Sequence, residues 1–173
     1  MNTNMNMLTA VRQKAMMSAP LRKALEGWFN RKGACPNPEI TDFGKWVENL
    51  ADILAGAIHD DKQVTVDNLV TALKVQAVGD ETAIRLARDA EKDGWDSDTN
   101  CYVEEGVVYA SVWLGGKDDA KATEKKAAEI GEEFRKMGYA VDVWIDEEDD
   151  KEVTVNACID FPLFVEMQKK GGR

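Results

Sequence analysis

The region between Tyr102 and Asp160 constrains this chain most, because three of its segments alternate apolar and polar residues with period two around one helical stretch. Val108, Ala110, Val112 and Leu114 alternate with Tyr109, Ser111 and Trp113. Tyr139, Val141, Val143 and Ile145 stand opposite Asp142, Trp144 and Asp146, and Val153, Val155, Ala157 and Ile159 opposite Thr154, Asn156 and Cys158. Successive side chains of a strand point to opposite faces, so each segment predicts one core face and one face of aromatic and polar groups.

Between the first two strands, Gly115-Gly116 turns the chain and Asp118 can cap a helix. Its inner stripe is Ala120, Thr123, Ala127, Ile130, Phe134 and Met137, and Gly138 ends it. A strand-helix-strand unit crosses over right-handedly and leaves room for an antiparallel strand between its two parallel members. That arrangement predicts Val153 to Ile159 at the centre, entered through a hairpin made of the acidic run Asp146 to Asp150. A short strand at Cys101 to Val103, turned by Glu104-Glu105-Gly106, would extend the outer edge of Val107 to Leu114.

Upstream, the apolar period is helical. Leu21, Ala24, Leu25, Trp28 and Phe29 follow Ser18 and Pro20, and Gly33 with Cys35-Pro36-Asn37-Pro38 closes that element; a weaker pattern precedes it from Leu8 to Met17. A wide stripe of Phe43, Trp46, Val47, Leu50, Ile53, Leu54, Ala57 and Ile58, with Thr41 as cap, reads as the central helix of a bundle. Val66, Leu69, Val70 and Leu73 begin a further helix, which Gly79 is expected to break, with Asp80 capping a last helix through Lys92. The period changes across 93–100, so the expected fold is α+β. An N-terminal helical bundle, 1–95, precedes a split βαβ-like module, 100–173, with a four-stranded antiparallel-rich sheet and one long helix.

Charge narrows the function classes. The chain carries a formal net charge of -10, yet its first 33 residues hold six cations against Glu26 alone, a net of +5, which leaves -15 for the rest. An acidic surface repels phosphate backbones and attracts cationic partners, so a protein partner with a basic surface is expected and nucleic acid is disfavoured. Simple solubility would also account for the acidity. No apolar run reaches the roughly 18 residues of a membrane span, and Met1 to Met7 does not resemble a signal peptide. The three cysteines are odd in number and far apart, which fits a reducing cytoplasm better than a disulfide framework or a zinc site.

No motif for catalysis, cofactor or metal stands out. Gly116-Lys117 before a helix lacks the first glycine of a phosphate loop, Ser111 standing there, and Asp118 replaces the hydroxyl residue. Asp146 to Asp150 lacks the turn glycine and distal glutamate of a calcium loop. His59, the single histidine, falls at the expected end of the central helix, where it can meet free carbonyls. A helix-turn-helix around Gly79 would expose Glu81, Arg85, Arg88 and Asp89, a mixed set unsuited to holding a duplex.

What remains is the sheet face with Tyr109, Trp113 and Trp144 among Asp142, Asp146 and Asp160. Aromatic rings on a sheet stack bases in some RNA-binding modules, but those add cations; with carboxylates beside them, Trp and Tyr fit protein recognition. Either this face is open and binds, or the N-terminal helices cover it as a second core. The expected function is a non-enzymatic, acidic protein-binding module. Its contact residues would be Tyr109, Trp113, Asp142, Trp144, Asp146, Glu147, Glu148, Asp149 and Asp150. A sharper form is an inhibitor or DNA mimic aimed at the cationic groove of a nucleic-acid enzyme, of the kind phages and mobile elements carry. Two alternatives stand beside it: a nucleic-acid-binding regulator using the basic front end, and an enzyme with a carboxylate site.

Overall fold

The structure is a computed structural model and describes residues 4–31, 35–58 and 60–159. The expectations for Gly33, His59 and Asp160 lie outside these residues. The elements run in the order α1 (Met5–Met17), α2 (Ala19–Phe29), α3 (Phe43–Gly56), α4 (Val66–Lys92), β1 (Asp96–Glu104), β2 (Val107–Gly115), α5 (Ala120–Lys136), β3 (Ala140–Ile145) and β4 (Val153–Cys158), with a short 3-10 turn at Asp61–Gln63. The architecture is α+β, as the periodicity predicts.

Two compact units divide the chain. The first holds residues up to Val78, together with Val103–Val108 and Ile159; the second holds Gly79–Tyr102 and Tyr109–Cys158. The changeover thus falls within α4, and the change of period at 93–100 coincides with the passage from helix to strand.

In the first unit, α1, α2 and α3 pack on one another. Trp28 meets Trp46 edge-on at 5.2 Å, Phe29 packs on Trp46 at 5.5 Å, and the Trp46 indole N–H donates to the Cys35 carbonyl at 3.1 Å. Buried aromatics with a satisfied polar atom make α3 the centre of this unit. Its cap is Asp42, whose carboxylate accepts from the Lys45 N–H; Thr41 was expected to do this. Likewise Asp119, one residue after the expected Asp118, caps α5 by accepting from the Ala122 N–H. Adjacent oxygen-bearing residues compete for one cap position, and sequence alone does not rank them.

Gly79 does not break α4. The helix runs unbroken for 27 residues, with Gly79 inside it and Asp80 buried at 4 % exposure, so no helix-turn-helix forms there. A single internal glycine costs about 1 kcal/mol of helix propensity. Packing offsets that cost, because the ring of Tyr139 lies where a side chain at 79 would start.

The second unit is a two-layer sandwich whose sheet order is β1-β2-β4-β3, with β4 antiparallel to both neighbours, as the split crossover predicts. One face buries Ala110, Val112, Leu114, Val153, Val155 and Ala157. Beneath it, α5 covers β3 and β4 through Thr123, Ala127, Ile130 and Phe134. The second half of α4 adds cover under β1, where Ser97 Oγ donates to the Ala87 carbonyl at 3.0 Å.

Strand β1 begins at Asp96, far earlier than the expected Cys101. Its first residues, Asp96-Ser97-Asp98-Thr99-Asn100, carry no apolar alternation. An edge strand wet on one face does not require it, since ladder pairing with β2 supplies its hydrogen bonds. The hairpin turns at Glu105 (φ 50°) and Gly106 (φ 76°), two consecutive left-handed residues of the kind that match the twist of two-residue hairpins.

Candidate functional site

Register brings the aromatic residues of the polar sheet face into place. Trp113 on β2 and Trp144 on β3 both pair with Thr154 on β4, so two indoles rise from strands on either side of a small residue. Neighbouring strands lie about 4.8 Å apart, which spaces the two backbones by roughly 10 Å. The next row, Ser111-Asn156-Asp142, is polar, and the row beyond it carries Tyr109 opposite Cys158.

This face is neither fully open nor a second core. Ser111, Asn156 and Cys158 at its centre are buried, at 4 %, 0 % and 9 % exposure, while Trp144 is 48 % exposed. Tyr102 stacks on Tyr109 at 5.1 Å with planes 9° apart and meets Trp144 at 6.5 Å. Because Trp144 and Tyr109 stand two rows apart, the Tyr102–Trp144 contact spans the polar row between them. Ser111 Oγ donates to the Asn100 carbonyl at 3.0 Å, but neither amide atom of Asn156 has a partner.

Strand β3 departs from the expected core pattern. Val143 and Ile145 point to the helix-covered face, yet they are 38 % and 47 % exposed. Helix α5 lies against β3 at Gly131, where a Cβ would stand 3.3 Å from Val141 Cγ1 and 3.8 Å from Val143 Cγ2. The strand is the last in the sheet order, so its outer edge has no partner strand among the described residues.

From this end the acidic hairpin projects in a defined form. The Asp146 N–H donates to the Glu152 carbonyl at 2.9 Å, and Asp146 Oδ1 accepts from the N–H groups of Glu148 at 2.8 Å and Asp149 at 3.0 Å. Those two backbone donors, Asp149 first, hold the Asp146 carboxyl below the usual carboxylate range. Asp149 Oδ1 in turn accepts from the Lys151 N–H at 3.0 Å. The Lys151 ammonium is engaged by Asp118, a contact that lowers the Asp118 carboxyl and raises the lysine. The loop's one cation is thus turned to an acid outside it.

Hairpin and indoles together bound a depression of about 500 Å³, lined by Trp113, Trp144, Ile145 and Thr154 and by the carboxylates of Asp146, Glu147, Glu148 and Glu152. The Trp113 indole N–H donates to Glu152 Oε2 at 3.3 Å. Its ring lies along the strand over Gly115, where a Cβ would fall 2.6 Å from Trp113 Cζ2. Gly115 is therefore strand rather than turn, and its missing side chain is what lets the indole lie flat.

Of the expected contact residues, Trp113, Trp144, Asp146, Glu147 and Glu148 come together here. Tyr109 belongs to the tyrosine stack, Asp142 stands exposed on β3, and Asp149 and Asp150 lie outside the depression. Glu152 and Tyr102 were not among the expected residues. Both were within reach of parity: Glu152 shares the face of Thr154, and Tyr102 faces Tyr109 across the hairpin.

Three of the six cations of the basic front end are paired within their own unit. Arg12 pairs with Glu48 at 3.2 Å, Arg22 with Glu26 at 2.7 Å, and Lys14 with Asp67. Among the described residues no group of His, Cys, Asp and Glu is arranged to hold a metal, and no helix is long and apolar enough to cross a membrane. No protein-family model, curated protein or solved structure matches the chain.

Proposed function

We propose that this protein is a non-enzymatic binding module that engages a protein partner with a basic surface through Trp113, Trp144 and the acidic β3–β4 hairpin. One observation carries the reading: the depression joins two indoles to four carboxylates, with no cation among the described residues of its lining. Tryptophan anchors supply desolvated contact area, while exposed acids draw in a cationic partner and fix its orientation. All three cysteines are buried, and their odd number and wide spacing favour a reducing, cytoplasmic setting in this reading. In its sharper form the partner is a nucleic-acid enzyme whose cationic groove the acidic surface occupies. Pairing of Arg12, Arg22 and Lys14 with acids of the same unit leaves less free positive charge for the alternative, a regulator that grips phosphates with its front end.

Two measurements on the full chain test this reading. Partners captured from nuclease-treated lysate should be retained, and should be lost when Trp144 is changed to Ala. A gel shift at about 150 mM salt should show no binding of duplex or single-stranded nucleic acid. Retention of nucleic acid would overturn the proposal in favour of the regulator.

A further inference from the structure

Resting on that reading, we infer that the depression between Trp113 and Trp144 receives one arginine side chain of the partner, its guanidinium lying against indole and paired with Glu152. The carboxylate of Glu152 is already positioned: the Trp113 N–H holds Oε2 at 3.3 Å, and the acid has no ion-pair partner among the described residues. An arginine fork matches a carboxylate with two parallel N–H donors, and its flat, weakly hydrated plane stacks on aromatic faces as an ammonium does not. No ring and no cation among the described residues packs on the Trp113 indole, which leaves its π face for a partner.

The same unit shows what an indole does when a cation is at hand. Trp95 carries the Lys117 ammonium 3.5 Å from its ring centroid, with Lys126 at 5.5 Å. Trp113 and Trp144 stand beside carboxylates instead, and no described residue supplies the complementary cation. The spacing supports a planar group: Thr154 is the only residue between the two tryptophans in the register, and its side chain is small. Beyond the pocket, Asp146, Glu147 and Glu148 supply a negative field that favours a basic flank around the inserted arginine.

The test titrates uniformly ¹⁵N-labelled full-length protein with the tripeptide acetyl-Gly-Arg-Gly-amide, and with counterparts in which arginine is replaced by lysine or by its neutral isostere citrulline. Arginine should shift the indole N–H signals of Trp113 and Trp144 saturably while those of Trp28 and Trp46 stay fixed. Lysine should bind about tenfold more weakly, and citrulline should leave the signals unmoved. Glu152→Gln keeps an acceptor for the Trp113 N–H and removes the charge, so arginine affinity should fall about tenfold with the spectrum otherwise unchanged. Gly115→Ala, which alters no charge, should weaken binding by displacing the Trp113 ring. Equal binding of lysine, binding of citrulline, or shifts confined to hairpin amides with silent indoles would each overturn the arginine site. Silent indoles together with intact capture of the protein partner would overturn this site alone. Arginine binding without any protein partner would support the site and overturn the wider function.

Discussion

The ring of Tyr139 lies directly against the backbone of Gly79: a Cβ at 79 would stand 3.0 Å from Tyr139 Cε1 and 3.2 Å from Cζ. Gly79 sits inside a helix, where alanine would ordinarily gain about 1 kcal/mol. Here the added methyl must displace a ring that is 6 % exposed and packed edge-on against Phe134 at 5.8 Å. We therefore expect Gly79→Ala to lower stability by about 1–2 kcal/mol, the overpacking cost exceeding the propensity gain. In a double-mutant cycle by urea denaturation, the penalty should disappear when Tyr139 is Leu. Additive effects would show that ring and glycine are not coupled.

Asn156 supplies a second stability test. It is fully buried in the central strand β4, and both of its amide atoms lack partners. A buried amide left without hydrogen bonds costs about 1–3 kcal/mol, and a β-branched apolar residue suits a central strand. Asn156→Val should accordingly raise the denaturation midpoint by an amount equivalent to about 1 kcal/mol or more. A fall in the midpoint would mean that the amide is held by a bond that valine destroys.

How far these relationships can be read in the sequence depends on which physics produces them. Period-two alternation placed β2, β3 and β4, and crossover handedness placed β4 at the centre, because both depend on local pattern and chain geometry. The first half of β1 is not legible because Asp96-Ser97-Asp98-Thr99-Asn100 carries only turn formers and polar groups; its strand state comes from pairing with β2. The continuity of α4 is not legible for a related reason, since the contact that makes glycine right at 79 comes from Tyr139, sixty residues away. At the candidate site, Trp113, Trp144 and the acids of the hairpin were legible from face parity. The Trp113–Glu152 bond and the Gly115 recess were not, because both depend on rotamers.

The hairpin should respond to acid in a defined direction. Asp146 is stabilised as a carboxylate by the N–H groups of Asp149 and Glu148, so its folded-state pKa lies below the unfolded value, near 3.8. The order this imposes is present above the unfolded value and is lost as pH falls through the folded one. Carboxyl chemical shifts should place the Asp146 midpoint below 3.8, and Asp146→Asn should remove that titration. A midpoint at or above the ordinary value would contradict the turn described here.

Charge and anchor should separate kinetically. Asp146 and Asp149 shape the turn, whereas Glu147, Glu148 and Asp150 accept none of its backbone hydrogen bonds, so reversing these three to Lys changes the field while leaving the hairpin in place. Association with the protein partner should slow by about tenfold or more at low salt and lose most of its salt dependence, with dissociation little altered. Unchanged association rates would remove the steering role.

The most direct test of the account is Trp144→Ala, measured for partner affinity and melting temperature on the same preparation. The ring is 48 % exposed and stands on an edge strand, so its loss should leave the melting temperature within about 2 °C of the parent. Affinity for the basic protein partner should fall by roughly 2 kcal/mol or more, about thirtyfold, because a central aromatic anchor is removed. Affinity that survives with the fold intact, or a fold that collapses on the substitution, would contradict the claim that Trp144 anchors a binding surface.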